Sequence, residues 1–467
     1  MRKKIFTGLI SCFLLLTFFS VVTSVNAQPR NQNKSKPNGK AKKLVDQGNQ
    51  SFGQKDFRTA INKYAEAIVI SPNYAEAHFW KGYAHYNLTE YDAALEELNS
   101  AADQGYTPIK IYQIRWDVNF QNKNYDAALN DLQKGLQIQP DDAQFTLGIA
   151  KVYRLQGAYQ NAIDNYKKYL VTDPNSGDVF YYMSVCHFNL GDVAQQGLSA
   201  VEAVKKNTFF VGESYLLMGD AFQKSKKPSE AIQAYERALN VKPDLPDVYA
   251  TLSDLYRSQS RLSEAIATAR KGIKLYPNDG NLFVSLTWYY SLADRHNEAV
   301  TAGQQAVKFA PEQAMAYTNL CRAYNDTKQY PQAIAACNNA LKLNPNDGET
   351  NFYLARAYDL QEKYDAATPY YKKAVIGLIE TTRTNPDYSD GYYLLGNAYF
   401  AEKQIDKAIE AYKTCLRLSP KFSKAIYNLG VAYFRNKEKD AAIEQYNTLL
   451  KIDTALAGKL KQTMDNK

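Results

Sequence analysis

Proline returns in this chain at intervals of 34 residues. Pro140 and Pro174 are one interval apart, as are Pro243, Pro277, Pro311 and Pro345 in turn, and Pro386 and Pro420. Pro72 to Pro140 spans 68 residues and Pro174 to Pro243 spans 69, close to two intervals; Pro345 to Pro386, at 41, departs from the rule. A fixed period of this size excludes an ordinary globule around one central core. It calls for a repeated supersecondary unit whose copies stack.

Each unit reads as two helices. In the copy starting at Ser389, Tyr392, Leu395, Gly396 and Tyr399 fall at i, i+3, i+4 and i+7, one face of a helix. Ala408, Tyr412 and Cys415 follow at i, i+4 and i+7, one face of a second. Glycine inside a helix costs about 1 kcal/mol relative to alanine. Its return at Gly48, Gly82, Gly219, Gly396 and Gly430 therefore needs a packing reason, which a close helix crossing supplies. The chain has 37 tyrosines against 3 tryptophans, and these rings fill the space beside the small residues. Proline just past the second helix stops it without removing a needed donor. Acids near the start of that helix (Asp92, Asp126, Asp365, Asp406, Asp440) suit its positive dipole end. Two helices of this length cannot bury both faces alone, so stability comes from stacking into a solenoid.

These residues resemble the tetratricopeptide repeat family, whose units carry an aromatic, Leu-Gly, Tyr, Ala, an aromatic, Ala and Pro over 34 residues. Alanine at the twentieth position of the pattern recurs from Ala60 and Ala94 through Ala408 and Ala442. The register gives twelve units, beginning near residues 41, 75, 109, 143, 177, 212, 246, 280, 314, 348, 389 and 423. The resemblance implies an all-α, right-handed superhelical solenoid over residues 44–454, closed by a capping helix at 455–467 with Leu456 and Leu460 on one face.

Several copies depart from the pattern. Trp116 takes the eighth position of the third unit, with Gly135 expected to make room for its indole. The fifth unit lacks both alanine and proline landmarks, so its second helix should be the least regular. The tenth is seven residues longer, near 376–388, which predicts a second helix extended by two turns and protruding by roughly 10 Å.

Before the array, Arg2, Lys3 and Lys4 precede an apolar run from Ile5 to Val22 and a small-residue site at Val25-Asn26-Ala27, a secretory signal over residues 1–27. The expected location is the periplasm or the extracellular space, with no membrane association after signal removal. A retained anchor and a lipoprotein anchor through Cys12 are the lesser alternatives. Residues 28–43 carry six bases, no acid and no large apolar residue, the composition of a disordered linker. The formal net charge of +8 resides there and in the signal, leaving about −1 beyond Lys43. A neutral body argues against nucleic-acid binding.

No catalytic, cofactor or metal motif is present. His78, His85, His187 and His296 take aromatic or turn positions of the repeat, where packing explains them. Cys321 and Cys337 occupy the eighth and twenty-fourth positions of one unit, on facing helices, and could bond in an oxidising compartment; buried free thiols are the alternative.

In the family, the second, fifth, sixth and ninth positions of the first helices line a concave groove. Here the resemblance points to Phe79, Trp80, Tyr181 and Tyr182 in early units. In late units it points to Asn319, Arg322, Tyr353, Arg356, Tyr393, Asn397, Lys424, Tyr427 and Asn428. Rings and amides suit an extended peptide. Asn397 and Asn428 match the asparagines of the clamp by which one branch holds a peptide carboxylate, but Tyr393, Gly458 and Gln462 replace its basic residues. The expected function is a non-enzymatic scaffold for protein or peptide partners, with no small-molecule substrate, in a cell-envelope assembly or export system. The alternatives are a substrate-presenting subunit of an enzyme complex and a self-assembling array.

Overall fold

The structure, a computed structural model, describes residues 37–465. The expected signal, residues 1–27, and most of the expected linker lie outside them. The described residues form 25 helices and no strand. Odd- and even-numbered helices alternate as first and second helices of twelve pairs, and the last helix stands alone. Most second helices are 14 residues long; α2 (Phe57–Ile70) and α22 (Ile405–Leu418) are typical. The chain divides into two compact units, one ending at Lys242 and one starting at Pro243. Each holds six pairs.

The first helix, α1 (Gly39–Gly53), starts inside the stretch assigned to the linker. Asn38 explains the earlier boundary: its side chain accepts a hydrogen bond from the Lys40 backbone N–H at 2.8 Å, an N-cap that lysine-rich composition does not reveal.

One contact recurs in several pairs. A Cβ added to Gly48 would lie 2.4 Å from the ring of Tyr64, one on Gly219 would lie 2.7 Å from Tyr235, and one on Gly396 would lie 2.5 Å from Tyr412. The eighth and twenty-fourth positions thus meet in these crossings, where glycine leaves room for a buried ring; at Gly82 the same place is taken by Leu98, and Gly430 instead faces Leu460 near the C-terminus. In the ninth pair, α17 (Ala314–Asp326) and α18 (Tyr330–Leu343), the same two positions are Cys321 and Cys337. Their sulfurs are bonded, with the Cα atoms 5.3 Å apart. Cys186 and Cys415 are free and buried.

The turn inside each pair is also repeated. In α21 (Ser389–Ala401), Lys403 follows the helix end at φ 60°. Its N–H and that of Gln404 donate to Phe400 and Tyr399 at 3.0 and 2.9 Å, satisfying the last carbonyls. Lys55, Thr89, Lys123, Lys328 and Lys437 do the same in their repeats.

Three expectations are corrected. Gly135 accommodates Phe145 of the next pair, whose ring would stand 2.4 Å from an added Cβ, and not Trp116. The second helix of the fifth pair, α10 (Val193–Lys205), is regular. Gln196 replaces the usual alanine, and its buried amide donates to Leu217 O at 2.8 Å and Asp220 at 2.9 Å on the following helix, so the landmark is lost without losing the crossing. The irregularity moves to the next connection, where Asp178 accepts from Thr208 Oγ1 and Phe209 N at 2.7 and 2.8 Å. Finally, α20 (Tyr364–Thr384) is 21 residues long. Its added turns do not project freely: Leu378 and Thr382 are buried, Thr382 against Gly391, leaving Ile376 and Ile379 outward.

At the C-terminus, α25 (Thr454–Asp465) packs on α23 (Ser423–Arg435) and α24 (Lys439–Leu450). Ala457 and Leu460 are buried against Ile426 and Leu449, covering the apolar end of the row, while Leu456 is half-buried.

Candidate functional site

The first helices of the second unit surround a cavity of about 560 Å³. Arg322 comes from α17, Tyr353 and Arg356 from α19 (Gly348–Asp359), Tyr393 and Asn397 from α21, and Lys424, Tyr427 and Asn428 from α23. Eight of the thirteen side chains expected in a groove therefore line this cavity, although Tyr353 is only 3% exposed and packs largely in the core. They converge because the stacking contact uses the small-residue face of each first helix and leaves the adjacent face pointing inward.

The others lie elsewhere. Phe79 is 3% exposed and packs on Trp80 and Tyr106 at centroid distances of 5.2 and 5.4 Å, so it belongs to the core. Tyr181 is buried and stacks on Phe210 at 4.4 Å. Asn319 is buried and donates to Val284 O at 3.1 Å, tying one first helix to the previous one. Only Trp80 and Tyr182 of the early candidates are half-exposed, the latter under the Arg154 guanidinium at 4.6 Å.

The asparagine pair is internally bonded. Asn428 Nδ2 donates to Asn397 Oδ1 at 2.7 Å, and Tyr412 donates to the same oxygen at 2.8 Å. With Tyr393 where a clamp would have lysine, these residues make an amide-and-phenol surface. Lys459 of α25, adjacent to Gly458, reaches the cavity from the capping helix.

Acids complete the site. Glu349 and Asp390 line the cavity with Tyr388, Asp326 and Trp288. Burial, with Asp347 adding to it, pushes the Glu349 carboxyl up to about 7. Burial also raises Asp390, against the pull of Arg257 and Arg322. Tyr388 donates to Glu349 at 3.4 Å. Burial works against the charge on Arg322, but Tyr353, Asp326, Glu349 and Asp390 more than offset it and hold its pKa above the usual arginine value. Its guanidinium lies 5.8 Å from the Tyr353 ring centroid and makes no direct hydrogen bond or ion pair among the described residues. Arg356 pairs with Asp326 at 3.5 Å. Glu349 and Asp390 stand at the second position of their repeats, a groove position; sequence alone gave acids a role only at the dipole end of second helices, so these two went unnamed.

No group of three His, Cys, Asp or Glu among the described residues could hold a metal ion. His78 is held by Glu97 at 2.6 Å and Pro72 O at 3.0 Å, and His85 by Glu90 at 2.7 Å, both packing roles. No described helix is long and apolar enough to cross a membrane.

Comparison with known proteins agrees with this architecture. Family models described as "TPR repeat" and "Tetratricopeptide repeat" match residues 48–88, 117–177, 216–280, 314–347, 396–437 and 423–455. The small glutamine-rich tetratricopeptide repeat-containing protein 2 of Saccharomyces cerevisiae is 34% identical over 104 residues, 22% of this chain and 30% of that protein. The Hsp70-Hsp90 organising protein of Plasmodium falciparum is 33% identical over 97 residues, 19% of this chain and 17% of that one. The chain thus spans less than a third of the length of these curated relatives. Among solved structures, the anaphase-promoting-complex assembly Cut9-Hcn1 aligns over 92% of this chain and 96% of its own, at 14% identity and a TM-score of 0.37. With twelve helix pairs in one register and family models matching along the array, the chain belongs to the tetratricopeptide repeat family.

Proposed function

We propose that this chain is an exported, non-catalytic scaffold that captures segments of partner proteins in the groove of its second unit. The observation that carries the reading is the convergence of Arg322, Tyr353, Arg356, Tyr393, Asn397 and Tyr427 from four successive first helices on one cavity. Rings supply contact area there, and amides and guanidinium groups supply donors for a peptide backbone or side chain. The relatives named above include a protein described as organising Hsp70 and Hsp90, which supports a protein partner. The near-neutral charge of the array speaks for protein over nucleic acid.

Export rests on the signal-like residues 1–27, and a cystine at Cys321–Cys337 is at home in an oxidising compartment. The setting we infer is a cell-envelope assembly or export system. A photo-crosslinking amino acid placed at Arg356 or Tyr427 in the full chain should capture discrete partner proteins in cells. The same group at Lys413, on an exposed second helix, should not. Identical products from all three positions would refute the groove as the binding surface.

A further inference from the structure

In a stacked array each repeat touches only its neighbours, and the substantial helix contacts here obey that rule. Two ion pairs do not. Arg257 Nη1, at the end of α13 (Pro246–Ser258), lies 3.4 Å from Asp390 Oδ2 in the first turn of α21. Lys424 Nζ, in the first turn of α23, lies 3.0 Å from Asp294 Oδ1, in the turn after α15 (Gly280–Leu292). The partners are 133 and 130 residues apart. Both pairs therefore join a repeat to the fourth one beyond it, and within this unit the row curls until its rims meet.

These pairs sit between two spaces. The 560 Å³ cavity and a second of about 690 Å³ share Leu292, Tyr388, Asp390, Phe422 and Lys424 as walls. Arg257 is set for its task before it reaches across: it bonds Asp254 at 2.9 Å and stacks on Trp288 at 4.2 Å. The Arg322 charge also acts on Asp390, alongside that of Arg257. The two pairs differ in exposure. Arg257 and Asp390 are 20% and 17% exposed, Lys424 and Asp294 40% and 67%.

We infer that these two pairs form an ionic latch that shuts the groove of the second unit, and that opening them joins the two cavities into one channel wide enough for an extended segment. The inference concerns access to the site proposed above, but its test needs no ligand and stands or falls apart from that reading. Ions screen exposed charges over about 10 Å at 0.1 M salt and affect buried pairs much less. The Lys424–Asp294 pair should therefore yield first to salt, and the Arg257–Asp390 pair only to substitution.

The test is a distance measurement by double electron–electron resonance in the full chain. Spin labels go on Ser260→Cys and Lys421→Cys, two exposed residues on the wall of the larger cavity. Among the described residues the free cysteines are buried and the other two are bonded, so with Cys12 replaced by serine only the introduced thiols take the label. At low salt a single short distance is expected. Raising salt should add a longer population, and Asp390→Asn with Asp294→Asn should make it dominant without added salt. Exchanging the charges, with Lys424→Asp and Asp294→Lys in an otherwise native background, should keep the short distance at low salt. If the substituted proteins lose their helical circular dichroism, the salt series on the labelled protein with its latch intact decides. One unchanging distance across salt and variants, or a long distance already present at low salt, would overturn the latch.

Discussion

The crossing of Gly396 and Tyr412 offers a direct test of why small residues repeat in this chain. A Cβ on Gly396 would stand 2.5 Å from Tyr412 Cε1 and 2.6 Å from Cδ1. Tyr412 is 1% exposed, and its hydroxyl is bonded to Asn397 at 2.8 Å, so the ring has little room to withdraw. In a free helix, Gly396→Ala would gain about 1 kcal/mol of propensity. Overpacking a filled core loses about 1–3 kcal/mol, and pulling the phenol off Asn397 loses about 1 kcal/mol more. The net effect should be destabilisation by about 1–3 kcal/mol. Gly458→Ala is the control: it lies in α25 with nothing within 4 Å of an added Cβ, and should be neutral or stabilising by up to about 1 kcal/mol. In a Tyr412→Ala background the side chain that crowds the added Cβ is gone, and Gly396→Ala should cease to be harmful. Repeat arrays open locally, so the assay is native-state amide hydrogen exchange read over α21 and α22. A Gly396→Ala protein as protected as its parent, or an equal loss with and without the Tyr412 ring, would refute the packing account.

Three further outcomes are expected. The Cys321–Cys337 bond closes a sequence separation of 16 residues, and its reduction should lower the exchange protection of α17 and α18 by up to about 3 kcal/mol; peptide mapping without reductant should show the linked pair. Glu349 holds its proton more tightly folded than unfolded, so its contribution is complete below the ordinary glutamate pKa of about 4.3 and fades as pH rises through about 7. Urea midpoints should fall across that window and fall less in Glu349→Gln; equal slopes would count against the burial of that carboxyl. Removing residues 454–467 uncovers Ile426 and Leu449, and light scattering should then rise with protein concentration, where the full chain stays constant.

Much of this molecule is periodic, and periodic features can be read from a sequence. The spacing of Pro243, Pro277 and Pro311 sets the unit; the glycines at Gly48, Gly219 and Gly396 mark where helices cross; and Cys321 and Cys337 fall on the same two positions that meet in those crossings. Local rules are enough for these, because each copy repeats the same short-range contact. Substitutions that compensate for one another escape such a reading. Gln196 holds its crossing by amide hydrogen bonds in place of alanine, and Gly135 serves a ring from the next repeat.

Spacing and residue type are enough to set the helix pairs, their register and the chemistry available to a groove. The folded arrangement selects which candidates reach that groove. Phe79, Tyr181 and Asn319 turn into the core, while Glu349 and Asp390 join Arg322 around one cavity. It also decided that Arg257 meets Asp390 and Lys424 meets Asp294. Those meetings depend on small rotations summed over four repeats, and no spacing within a single repeat encodes that sum.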